Sequence, residues 1–174
     1  LYGAGQSSVV KADSNLFAAM QIRGGYNMVS NLVIDAGDVG LRLCGLDSPC
    51  VQNRVSNLVI QNSDVGIELD GGNDTDKPTY WNIFQNCLVL SPLETGILLT
   101  KSGAGDTPNA NVFDACRVYS QGTEIANHGV YVQHGSFYNR FLNCEINVDG
   151  TEAVLSCCDD CGVRMLFAST CCAY

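Results

Sequence analysis

An all-β fold, a right-handed single-stranded parallel β-helix wound as a solenoid of about six coils, is predicted by three features of the sequence. The first is composition. With 18 Gly, only 4 Pro and 46% hydrophobic residues in 174 positions, few Lys and abundant Val, Ile, Asn and Asp, the chain favours short strands and tight turns over long charged helices. The second is a repeat: Asn27-Met-Val-Ser-Asn-Leu32 returns as Asn53-Arg-Val-Ser-Asn-Leu58, Asn82-Ile-Phe-Gln-Asn-Cys87, Asn111-Val-Phe-Asp-Ala-Cys116 and Asn139-Arg-Phe-Leu-Asn-Cys144, at intervals of 26, 29, 29 and 28 residues. The third is the pattern inside each unit, where Leu58-Val-Ile-Gln61 and Gly66-Ile-Glu-Leu69 run apolar or alternate without helical spacing.

Each unit carries a second signature after the asparagine motif: Gly40-Leu-Arg-Leu43, Gly66-Ile-Glu-Leu69, Gly96-Ile-Leu-Leu99 and Gly129-Val-Tyr-Val132, with Ala153-Val-Leu155 as a degenerate fifth. Two or three short strands per unit close one coil, and coils stack at the strand spacing of about 4.8 Å into a rod on the order of 30 Å long. Stacking turns each motif position into a column. Val29, Val55, Phe84, Phe113 and Phe141 form one inward column, and Leu32, Leu58, Cys87, Cys116 and Cys144 a second in which cysteine replaces leucine as a small buried hydrophobe. Asn27, Asn53, Asn82, Asn111 and Asn139 are expected to form an asparagine ladder, each amide bonding turn backbone and the next amide.

Residues 1–155 are assigned to the β-helix, and 156–174 to a Cys-rich segment that closes or follows the last coil. Nine basic residues against 18 acidic ones leave a formal charge of −9, which repels phosphate backbones and anionic membranes, so nucleic acid is not an expected partner. Membrane insertion is not expected either, because no run approaches about 18 apolar residues. The N-terminus shows neither Met nor a basic-then-apolar leader, and Leu1 is expected to be a cut or processed start.

The opening Leu1-Tyr-Gly-Ala-Gly-Gln-Ser-Ser-Val-Val10 and the Asn-x-Phe-x-Asn-Cys coils resemble the pectate-lyase-superfamily β-helices, including bacteriophage tailspikes and tail fibres, over residues 1 to about 155. The resemblance implies a polysaccharide or surface glycan as partner, a homotrimer, and a place outside the cell or on the virion surface at the phage tail. It does not choose a reaction, because lyases, hydrolases, epimerases and inert fibre segments share this coil.

Candidate chemistry sits on the outward columns. Arg42, Glu68, Leu98 and Tyr131 are expected to share one exterior face, with Cys44, Asp70, Thr100 and Gln133 two residues on. Glu68 and Asp70, with Glu94 from the next coil, are the candidate catalytic carboxylates, since a glycosidase needs two that converge on one bond. Tyr26, Trp81 and Tyr138 precede the ladder asparagine and Tyr80 adjoins them; with Tyr131 they are the candidate glycan-binding residues, because sugars stack on aromatic rings. The polygalacturonase-like echoes Asn147-Val-Asp149 and Asp159-Asp160 lie about half a coil apart and are expected on different faces.

No cofactor is expected. The alternatives are Ca²⁺ at Glu68, Asp70, Asp74 and Asp76, and Zn²⁺, disulfides or free thiols at Cys157, Cys158, Cys161, Cys171 and Cys172. Cys44 and Cys50 are candidates for a local disulfide in an oxidising compartment. Insertions at 71–80, 101–110 and 121–128 interrupt the coils; His128 ends the third and His134 follows it. The expected function is a polysaccharide-recognising module of a tailspike-like, fibre-like or other surface protein. A polysaccharide lyase or glycoside hydrolase on the same scaffold is the second reading, and a purely structural stalk the third.

Overall fold

β-branched and aromatic residues between turn-forming asparagines and glycines leave the chain little choice but short strands. The computed structural model describes residues 8–12, 17–35, 37–120 and 128–147, and over them the protein is all-β. The strands are β1 (Val9–Lys11), β2 (Met20–Ile22), β3 (Met28–Asp35), β4 (Val39–Cys44), β5 (Arg54–Gln61), β6 (Val65–Asp70), β7 (Ile83–Gln85), β8 (Leu88–Leu90), β9 (Thr95–Thr100), β10 (Val112–Asp114), β11 (Arg117–Tyr119), β12 (His128–Val132), β13 (Arg140–Leu142) and β14 (Glu145–Asn147). All pairings are parallel. They form a nine-stranded sheet and a five-stranded sheet, β2-β4-β6-β9-β12, and the chain passes from one to the other in every turn.

The result is a β-solenoid of about five turns. Six coils were expected, but the opening sequence 1–7 and the trailing 148–155 lie outside the described residues, as do the cysteines at 157–172, the Asp149 and Asp159-Asp160 echoes and positions 121–127 of the third insertion.

The coils stack in the register set by the repeat: Val29 pairs with Val55, Val55 with Phe84, Phe84 with Phe113 and Phe113 with Phe141. The three phenylalanines are buried and stack face to face, with centroids 4.6 and 4.7 Å apart and planes within 8°. Where Phe replaces Val in the first column, Cys replaces Leu in the second, so bore volume is roughly held. The eight-residue strands β3 and β5 give way in those coils to pairs of three-residue strands.

The second-signature glycines have a steric reason. A Cβ on Gly40, Gly66 or Gly96 would come within 2.3–2.4 Å of Ile60, Val89 or Val118, so the two sheets touch here and only glycine fits. The asparagine ladder is continuous: each Nδ2 from Asn27 to Asn111 donates to the next Oδ1 at 2.9–3.0 Å, and that oxygen also accepts the same residue's backbone N–H.

One expectation is corrected. Cys44 and Cys50 are both buried free thiols, not a disulfide. Cys50 donates to the Ile22 carbonyl and accepts from Asn53, on the bore side, while Cys44 lies in the outward row of β4 beside Asp70. Burial pushes both thiols up, Cys44 to about 11 and Cys50 to about 12.

Candidate functional site

Strand alternation puts Arg42, Glu68 and Leu98 in one outward row and Cys44, Asp70 and Thr100 in the next. Arg42 draws the two carboxylates together: its Nη2 hydrogen-bonds Asp70 Oδ2, and its Nε lies 3.3 Å from Glu68 Oε2, within ion-pair range but out of hydrogen-bond alignment. Asp70 is 0% exposed and also accepts from the Gly72 and Ser102 N–H groups at 2.8 and 2.9 Å and from the Ser102 hydroxyl at 2.7 Å. Burial pushes this carboxyl up, but the Gly72 and Ser102 hydrogen bonds and Arg42 outweigh it, leaving it below its ordinary value. Glu68 has fewer partners, and burial, with Asp70 and Asp38 nearby, raises it despite Arg42.

The cover over this face comes from two insertions, 71–80 and 101–110. A Cβ on Gly45 would sit 1.8 Å from the Lys77 carbonyl oxygen, and one on Gly71 1.6 Å from that of Asp106. Loop backbone therefore lies directly on the strand ends, and Asp70 ties it down through Gly72 and Ser102. The cluster is a clamp: its four donors to Asp70 occupy the lone pairs that a nucleophile or base would need.

Glu94 is not part of it. It is held beside Asp64, its N–H donating to the Asp64 carbonyl at 2.8 Å, four residues before the position that pairs with Glu68. Four strand residues amount to about 13 Å, beyond the span of a glycosidase carboxylate pair. The Ca²⁺ candidates also diverge, because Asp74 caps its own turn at the Asp76 N–H and pairs with Lys77 at 3.3 Å. Among the described residues no group of three or more His, Cys, Asp or Glu gathers as a ligand set.

A different arrangement occupies the corner before the ladder. Tyr26, Gln52, Trp81, Ala110 and Tyr138 occupy this corner in successive coils, all in the left-handed region with φ between 55° and 63°. Tyr26, Gln52, Trp81 and Ala110 donate their N–H groups to the carbonyls of residues 51, 80, 109 and 137 in the following coil. Left-handed backbone costs a residue with a Cβ roughly 1–2 kcal/mol, and glycine or asparagine would adopt it with least strain. Here three of the five are large aromatics, and they face solvent: Tyr26 is 74% exposed, Trp81 55% and Tyr138 80%.

Tyr80 stands edge-on to Trp81 at 5.8 Å and donates its hydroxyl to Asp106; Phe137 adjoins Tyr138. Tyr131 is elsewhere, on the outer face of the five-stranded sheet against His128. Beside the ridge, a hollow of about 200 Å³ lies on the nine-stranded sheet, with Met28 and Ile83 as apolar walls and Ser30, Arg54, Ser56 and Gln85 as polar ones.

A second left-handed column, Asn31, Asn57, Asn86, Ala115 and Asn143, was not read from the sequence. Its side chains bond from coil to coil, Asn57 to Asn31 and Asn86 to Asn57, until Ala115 interrupts them. The fifth position of the motif, asparagine in four copies of five, was the available signal.

The fold defines the class of this protein, a parallel β-solenoid. No family model matches the chain, and no curated protein or solved structure matches it significantly.

Proposed function

We propose that the protein is a polysaccharide-recognising solenoid module, of the kind carried by tailspike-like, fibre-like or other surface proteins, and that the ridge of Tyr26, Trp81 and Tyr138 holds the glycan. One observation carries this reading: three exposed aromatic rings are kept on strained backbone on one edge of the rod, where the fold itself would favour Gly or Asn. Sugars offer an apolar face for such rings and a rim of hydroxyls, and the adjoining hollow supplies Ser30, Arg54, Ser56 and Gln85 to bond them.

The test is affinity electrophoresis in gels containing a panel of neutral and acidic polysaccharides, with polymer length and unsaturated-sugar absorbance followed in parallel. The wild type is expected to be retarded by at least one polymer and to leave it intact. Tyr26→Asn/Trp81→Asn/Tyr138→Asn, built with a residue that accepts the left-handed corner, is expected to migrate freely while keeping its β-sheet circular dichroism. Retardation that survives in the triple variant would remove the ridge from the account, and shortening of the polymer would replace a binding module by an enzyme.

A further inference from the structure

The ridge has a period as well as a position. Corner residues of successive coils are one strand spacing apart, and the rings occur in alternate coils: Tyr26, then Gln52, then Trp81, then Ala110, then Tyr138. Ring-bearing corners are therefore separated by two spacings, about 9.6 Å, along a straight edge parallel to the rod. No contact joins the three rings to one another among the described residues, while Trp81 and Tyr138 each touch the aromatic residue before them.

We infer that the ridge reads an extended, β-linked polysaccharide lying along the solenoid axis, taking every second sugar; this rests on the glycan reading above. In a chain of β-1,4-linked hexopyranoses whose two linking oxygens are both equatorial, as in the gluco series, each sugar advances by about one strand spacing and is turned over relative to the last. Alternate sugars thus present the same face two spacings apart, matching the rings. The intervening sugars face away at Gln52 and Ala110, where no ring is needed. An α-1,4-linked chain coils, so its sugars leave the edge after one contact. A lattice of rings on a rigid, in-register edge needs little ordering on binding, which favours a straight ligand further.

The experiment is titration calorimetry on the full chain with β-1,4-linked gluco- and N-acetylglucosamine oligosaccharides from disaccharide to hexasaccharide, and α-1,4-linked gluco-oligosaccharides as the coiled control. A trisaccharide is the shortest ligand that spans two rings and a pentasaccharide the shortest that spans three. Affinity in a β-linked series is therefore expected to rise several-fold at the trisaccharide and again at the pentasaccharide, with little change between.

Trp81→Ala separates period from mere stickiness. Its remaining rings are four coils apart, so the trisaccharide step is expected to vanish and the pentasaccharide step to remain. Smooth growth of affinity with length, or equal steps in the α-linked series, would overturn the inference and leave glycan binding standing. Failure of every oligosaccharide and polymer to bind, or sedimentation showing the ridge buried between copies of the chain, would overturn both. Because Trp81 is more than half exposed, its variant is expected to fold, and thermal melting by circular dichroism checks this.

Discussion

The outer face of the five-stranded sheet and the left-handed corner each hold side chains where physical chemistry disfavours them. On the sheet face, charged groups are withdrawn from water, yet Asp70 is satisfied by Gly72, Ser102 and Arg42. At the corner, Tyr26, Trp81 and Tyr138 stand largely in water on strained backbone, Trp81 and Tyr138 each touching the aromatic residue before it. The first arrangement is explained by the folded state alone, because the same contacts that bury the carboxylate anchor two insertions. The second gains little from the fold beyond the edge contacts of Trp81 with Tyr80 and of Tyr138 with Phe137. That difference gives Asp70 an architectural role in anchoring the two insertions and leaves the rings as the feature the proposed glycan reading rests on.

The sharpest way to break this contrast is Asp70→Ala. It strips the Arg42 guanidinium of a buried partner and orphans two backbone N–H groups, so a loss of about 3–5 kcal/mol is expected in urea denaturation. Trp81→Ala should shift the same curve by no more than about 0.5 kcal/mol; comparable losses would mean the ridge is structural after all. Next in size is Asn82→Ala, which removes the shared acceptor for the Asn53 N–H and Nδ2 and is expected to cost about 2–3 kcal/mol.

Acid sharpens the contrast further. The folded state holds Asp70 below its ordinary 3.8, so its contribution is full above that pH and is lost as pH falls through the folded value. Glu68, raised above 4.5, acts in the opposite sense, its contribution being full below 4.5 and lost as pH rises through its folded value. Urea midpoints measured between about pH 5 and pH 2 should therefore fall less steeply with acid in Asp70→Asn than in the wild type. The smallest effect carries the most information about the ridge: Tyr138→Asn should be more stable than wild type by about 0.5 kcal/mol, because asparagine tolerates the left-handed corner. A clear loss of stability there would show that the contact of the ring with Phe137 outweighs the backbone strain.

Much of the architecture is legible in the sequence because in-register stacking makes every repeat position a column. The Phe84, Phe113 and Phe141 stack and the ladder from Asn27 to Asn139 follow directly from the spacing of the repeats. The environment of Asp70 is not legible in this way. Alternation correctly points it outward, but outward means exposed only if nothing folds back, and the contacts of Lys77 and Asp106 with Gly45 and Gly71 are long-range facts that no periodicity encodes. Glu94 was misplaced for a related reason: its nearness in sequence to β9 hides the length of strand between it and the Glu68 row. The exposure of Tyr26, Trp81 and Tyr138 was readable from their place before the ladder; the strain in their backbone was not.

The amides of the ladder all point one way, each coil handing its donors to the coil that follows. Over the described coils the column consequently has a direction, running from the Asn27 amide to that of Asn139, as in a polymer with a head and a tail. Such a column can be lengthened or shortened by whole coils without disturbing its interior, whereas a fractional coil would put the next amide out of line and leave a donor without its acceptor. Rod length is thus a quantised variable, and cutting out a single coil would preserve the scaffold while throwing the rings out of step.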